Sequence, residues 1–147
     1  MNETIIERWN AIVKQNDIVY HLGDVFMGSD KEAALKMVAR LKGKIYLAYG
    51  NHDSDNRKKV LSQLPNIVDV QMGYCLKSGK KGFILTHYPT LTGNTTLDHI
   101  YSLHGHTHQE TNFTEGLPLC YHIGVDSHNC TPVAFDEIIE EIRSKNK

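Results

Sequence analysis

Asp24, Asn51, His87, His106 and His108 are the residues of this chain whose types and placement could do chemistry together. Each closely follows a short apolar run, in the segments Gly23-Asp24, Gly50-Asn51-His52-Asp53, Thr86-His87-Tyr88-Pro89 and His104-Gly105-His106-Thr107-His108. One carboxylate, one amide oxygen and three imidazoles form a mixed oxygen and nitrogen donor set. Such a set suits manganese, zinc, iron or nickel better than magnesium or calcium, which prefer oxygen alone. Taken singly, most of these residues have a structural explanation. Asp24 after Gly23 can be a turn residue or a helix cap, Gly50-Asn51 a tight turn, and His87 a buried imidazole with its ring satisfied. The Gly-His-x-His run is different, because no structural need calls for two imidazoles flanking a threonine beside a glycine.

The elements around these residues must bring them together. Ile5, Ile6, Trp9, Ile12 and Val13 recur at helical spacing among charged residues and predict an amphipathic opening helix. Residues 17–22 read as a short strand closed by Gly23-Asp24, and residues 30–41 as a helix capped by Asp30. Residues 44–49, apolar at nearly every position, read as a strand covered on both faces. A short helix is predicted over 56–64. Two strands, 67–76 and 81–86, flank the Gly79 turn, and further strands are predicted at 100–103 and 119–125 before a final helix over 134–144. In α/β proteins, sites form beyond the carboxyl ends of strands, so residues from 24 to 108 can meet in one cleft. The loops 26–30, 88–97 and 109–117 would form its walls.

The 147 residues fit one domain, 1–147, able to bury a core without staples. Sixteen Lys and Arg against seventeen Asp and Glu leave a formal charge of −1, which disfavours binding nucleic acid chiefly by phosphate neutralisation. A nucleotide or a nucleic-acid end stays open as a substrate. No run approaches the length of a membrane span and no export signal opens the chain, so a membrane role is not expected. Cys75, Cys120 and Cys130 are an odd number without Cys-x-x-Cys spacing, which points to a reducing cytoplasm.

These blocks, in this order, resemble the metallophosphoesterases, or calcineurin-like phosphoesterases, and the surrounding text is similar to their small bacterial and phage members. The resemblance runs from Ile5 to about Ile142. It implies an α/β fold, a two-sheet β-sandwich flanked by helices, with a two-metal site at the strand ends. It implies Asp24 as the carboxylate bridging both metals, Asn51, His87 and His106 on one metal, and His108 on the other. His52 resembles the general acid that protonates the leaving alkoxide, with Asp53 nearby to orient it. Two cations about 3.5–4 Å apart can each hold a phosphate oxygen and activate a bridging water. An imidazole titrating near neutrality suits the proton transfer.

The family's first block, an Asp-x-His upstream of the opening helix, has no counterpart, so the expected fold is N-terminally truncated. One metal position is then complete and the other keeps only Asp24 and His108. The triplet Asp126-Ser127-His128 does read Asp-x-His, but it follows the penultimate predicted strand and is read as coincidence. The expected function is a metal-dependent phosphoesterase cleaving a phosphomonoester or phosphodiester. The alternative is a catalytically impaired scaffold, such as a phage-derived protein, that binds or inhibits a host nucleotide or nucleic-acid system. A strand missing from the sheet would also leave an edge for direct pairing of the strands at 18–20 and 45–49, or for cover by a second copy or a partner.

Overall fold

A computed structural model describes residues 2–90 and 99–145, so residues 91–97 of the expected 88–97 loop lie outside the described residues. Helix α1, Asn2–Ile12, buries Ile6 and Trp9, and the Trp9 indole N–H donates to the Lys42 carbonyl at 2.9 Å. Strand β1, Ile18–His21, is followed by α2, Lys31–Val38, whose N-terminus is capped by the Asp30 carboxylate accepting from Ala33 N. Strand β2, Lys44–Ala48, leads to α3, Asp55–Leu61, with Ser54 as its cap. Strands β3 (Ile67–Gln71), β4 (Gly73–Ser78), β5 (Lys81–Thr86), β6 (Ile100–His104), β7 (Phe113–Thr114) and β8 (Leu117–His122) precede α4, Phe135–Lys145.

The strands form two sheets. One is all parallel in the order β1-β2-β3, and the other has the order β4-β5-β6-β8-β7, with β5, β6 and β8 parallel. The pairing of Val19 with Ile45 and Tyr20 with Tyr46 is the direct contact of the two apolar strands that the sequence suggests. Trp9, Val13, Val38, Leu61 and Ile67 pack with Ile45 and Leu47 of β2. A second cluster joins Leu22, just after β1, and Ala48 of β2 to Phe83, Leu85, Tyr101, Leu103 and Tyr121 of the second sheet, together with Ile138, Ile139 and Ile142 of α4. Each fully buried side chain of this kind stabilises the fold by about 1.5–3 kcal/mol.

Residues 67–76 are not one strand. The chain leaves the first sheet at exposed Met72 and enters the second at Gly73. A Cβ on Gly73 would lie 2.7 Å from the Leu85 carbonyl oxygen, so only glycine lets β4 come so close to β5. The two-residue strand β7 is too short for any alternation to announce it.

Candidate metal centre

Parallel pairing puts the carboxyl ends of β1 and β2 side by side, and does the same for β5 and β6. Asp24 follows β1, Asn51 follows β2, His87 follows β5 and His106 follows β6. The two sheets are stitched at this end by the His87 ring, whose Nδ1 lies 2.7 Å from the Leu22 carbonyl oxygen, while within the second sheet Gly105 N donates to the His87 carbonyl at 3.1 Å and holds the loops after β5 and β6 together. Two glycines make the approach sterically feasible. A Cβ on Gly23, which has φ +92°, would sit 2.6 Å from Gly50 N and from His87 Nδ1, and one on Gly50 would collide with the Asp24 carboxylate.

The result is a concentration of lone pairs. Leu22 offers His87 Nδ1 only a carbonyl oxygen, so Nδ1 carries a proton, and in a ring with that one proton Nε2 is left as a lone-pair atom for a metal. That Nε2 lies 2.9 Å from Asn51 Oδ1, 3.0 Å from His106 Nδ1 and 3.4 Å from Asp24 Oδ2. Ligand atoms of Asp24, His87 and His106 all fall within 4.8 Å of one another. His87 is buried and Asp24 half-buried, while His106 opens to solvent. Converging acceptors in a partly desolvated pocket repel one another unless a cation or proton lies among them. The donor set therefore fits a divalent transition metal with an open face.

The loops beneath are braced by Asp53, which is 3% exposed. Its carboxylate accepts from Asp24 N and Gly50 N, each at 2.8 Å, and from Val25 N at 3.4 Å. These hydrogen bonds direct the Asp53 carboxylate to the backbone of both loops, including Gly50 of the loop that carries His52. His52 is exposed, and its backbone N donates to Asp24 Oδ1 at 2.9 Å, which fixes the residue beside the centre. Arg57 has its guanidinium on the carbonyls of Phe26, His52 and Gly28 at 2.8–3.0 Å and over the Phe26 ring. It acts as a clamp between loops. His21 is held neutral next to the centre, since burial lowers its pKa against the opposing pull of Asp53 and Asp24.

His108 lies apart from this cluster, its Nδ1 3.0 Å from Asp126 Oδ2. The Asp126-Ser127-His128 triplet is divided. Asp126 reaches His108, whereas His128 turns to Ser127 and the Gly124 carbonyl. Only the Asp-x-His spacing could have flagged Asp126 in the sequence, and the loop geometry that delivers it carries no pattern of its own.

Comparison with known proteins agrees with this picture. The calcineurin-like phosphoesterase superfamily domain matches residues 2–125. An uncharacterized protein of Methanocaldococcus jannaschii is 30% identical over 147 residues, covering 97% of this chain and 75% of its own. Among solved structures, a protein of unknown function from Aquifex aeolicus superposes with a TM-score of 0.72 at 23% identity, over 96% of this chain and 84% of that one. A structure described as a novel archaeal phosphodiesterase gives a TM-score of 0.52 at 19% identity, over 84% and 74%. These two likenesses speak for the fold.

Proposed function

The chain belongs to the calcineurin-like phosphoesterase superfamily, and from that premise we propose that it hydrolyses a phosphomonoester or phosphodiester at a metal centre held by Asp24, Asn51, His87 and His106. The observation that carries this reading is the convergence of Asn51 Oδ1, His106 Nδ1 and Asp24 Oδ2 on His87 Nε2. A divalent cation there supplies charge for the phosphate oxygens and acidifies water. Manganese, zinc, iron and nickel all suit the donors. His52 gives a proton to the departing oxygen in this reading, supported by its exposure and by the hydrogen bond from its backbone N to Asp24 Oδ1. Asp53 keeps the two loops in register, and Gly23 and Gly50 let them meet. The two sheets, sharing the cluster around Ala48 and Leu103, act as a sandwich behind the centre.

A nucleotide or a nucleic-acid end is one form the phosphate ester can take, and a cytoplasmic setting suits three unpaired cysteines. Among the described residues no helix is long and apolar enough to cross a membrane. The same reading carries a partner. Among the described residues β1 has β2 on one side and no strand on the other, and Ile12, at the end of α1, and Ile18, the first residue of β1, are exposed. A second copy covering this edge would pair its backbone groups.

One observation favours the second reading, a scaffold that binds or inhibits rather than cleaves. Among the described residues a single group of three or more potential ligands is assembled. A steady-state assay with an aryl phosphodiester, with and without added manganese, separates the two. Metal-dependent turnover that disappears in His106→Ala is expected for the hydrolase, and metal binding without turnover on mono- or diesters would favour the scaffold.

A further inference from the structure

Beyond the four-residue centre, and resting on the reading of it as a metal site, we propose that Asp126 is a positioning residue of a second cation position. Its carboxylate holds the Nδ1 side of the His108 ring so that Nε2 is presented to a divalent ion. The placement begins with β6 and β8, which pair in parallel with His104 opposite His122. Their outgoing loops leave together, tied by Ile123 N donating to the His104 carbonyl at 2.9 Å. One loop carries His106 and His108, and the other carries Asp126. Asp24, Gly105, Gly124 and Val125 line one cavity, so the segment that leads into Asp126 borders the same space as Asp24.

The Asp126 loop is built rather than casual. Cys130 N donates to the Val125 carbonyl at 3.0 Å and Thr131 N to the His128 carbonyl at 3.0 Å, closing consecutive turns. Ser127 Oγ lies 2.9 Å from both His122 Nδ1 and His128 Nδ1 and anchors the loop to β8. The Tyr121 hydroxyl, 3.5 Å from His128 Nε2, donates to Glu141 of α4 at 2.5 Å and extends the anchor into the core. Arg8 of α1 donates to the Asn129 carbonyl and side chain from the other direction. A Cβ on Gly124 would lie 2.5 Å from the His122 ring, so the loop sits tightly on that imidazole. Asn129 and Cys130 adopt left-handed φ of 51° and 55°, routine for asparagine but uncommon for a cysteine.

All this holds a pair of little value to stability. The side chains of His108 and Asp126 are 72% and 40% exposed, and an exposed ion pair contributes about 0–1 kcal/mol. A carboxylate on one imidazole nitrogen fixes the tautomer and ring direction for a metal on the other, and losing such a support lowers metal affinity by about 10–100-fold. His108 shares this arrangement, with Nδ1 taken and Nε2 the remaining ligand atom.

The test is calorimetric titration of manganese into metal-free protein, followed in parallel by manganese electron paramagnetic resonance. Wild type should show a tight event and a weaker one. Asp126→Ala should leave the tight event unchanged and weaken the second by about 10–100-fold, and Asp126→Glu should recover part of the loss. His108→Ala should remove the weaker event, and thermal melting of the Asp126 variants should match wild type. Equal second affinities in wild type and Asp126→Ala overturn the proposal, as does a wild type binding one ion only, which leaves the four-residue centre standing. A wild type that binds no ion overturns both.

Discussion

His52 and Arg57 show how neighbouring residues divide the work around the centre. If His52 gives the proton to the leaving oxygen, His52→Ala should cost about 10²–10⁴-fold on alkyl esters, with a far smaller loss on activated aryl esters, whose leaving groups depart unaided. Comparing turnover on the two substrate types checks this, and equal losses would place His52 in binding or structure. Arg57 bonds three carbonyls from two loops, a task for a planar fork and not for a single ammonium. Arg57→Lys should therefore lower stability nearly as much as Arg57→Ala, by about 1–3 kcal/mol in urea unfolding. That Asp24, Asn51, His87 and His106 converge was legible in the sequence, because their types are chemically improbable together at successive strand ends. The hydrogen-bond partners of Asp53 and Asp126 could not be read in the sequence, since one carboxylate looks like another until its neighbours in space are known.

Elements enter through what their ends must satisfy. Asp53 accepts backbone N–H groups from the loops after both β1 and β2, two of them at 2.8 Å. Asp53→Ala would orphan those donors at about 1–3 kcal/mol each, so a loss of about 2–6 kcal/mol is expected. Equilibrium urea unfolding measures it, and a loss below about 1 kcal/mol would show that water replaces the carboxylate easily. The strand ends could be read in advance because Gly23-Asp24 and Gly50-Asn51 interrupt apolar runs abruptly. The division of residues 67–76 between two sheets could not, because the apolar character continues across Met72 and only Gly73 marks the bend. The helices kept their places within a few residues, with the Asp30 and Ser54 caps setting two of the starts.

For the molecule as a whole, pH and association test the packing. Burial lowers the pKa of His122 from 6.5 to about 4, and lowers those of His21 and His104 in the same direction. On acidification the unfolded His122 takes up its proton through about pH 6.5, and the folded one only near 4. The unfolded state therefore binds more protons in that window, so stability holds near neutrality and falls as pH drops. Urea midpoints at pH 7.5 and 5 should differ in that sense, and a higher midpoint at pH 5 would refute it. The outer edge of β1 borders a largely apolar groove of about 1070 Å³, and light scattering should report a dimer if a second copy covers it, whereas a monomer at micromolar concentration would contradict that. The central claim is that the folded molecule holds a metal at Asp24, Asn51, His87 and His106, and elemental analysis after mild dialysis tests it most directly. The account predicts at least one transition-metal ion per chain in wild type and none at this site in folded His87→Ala; equal metal content in the two proteins would contradict it.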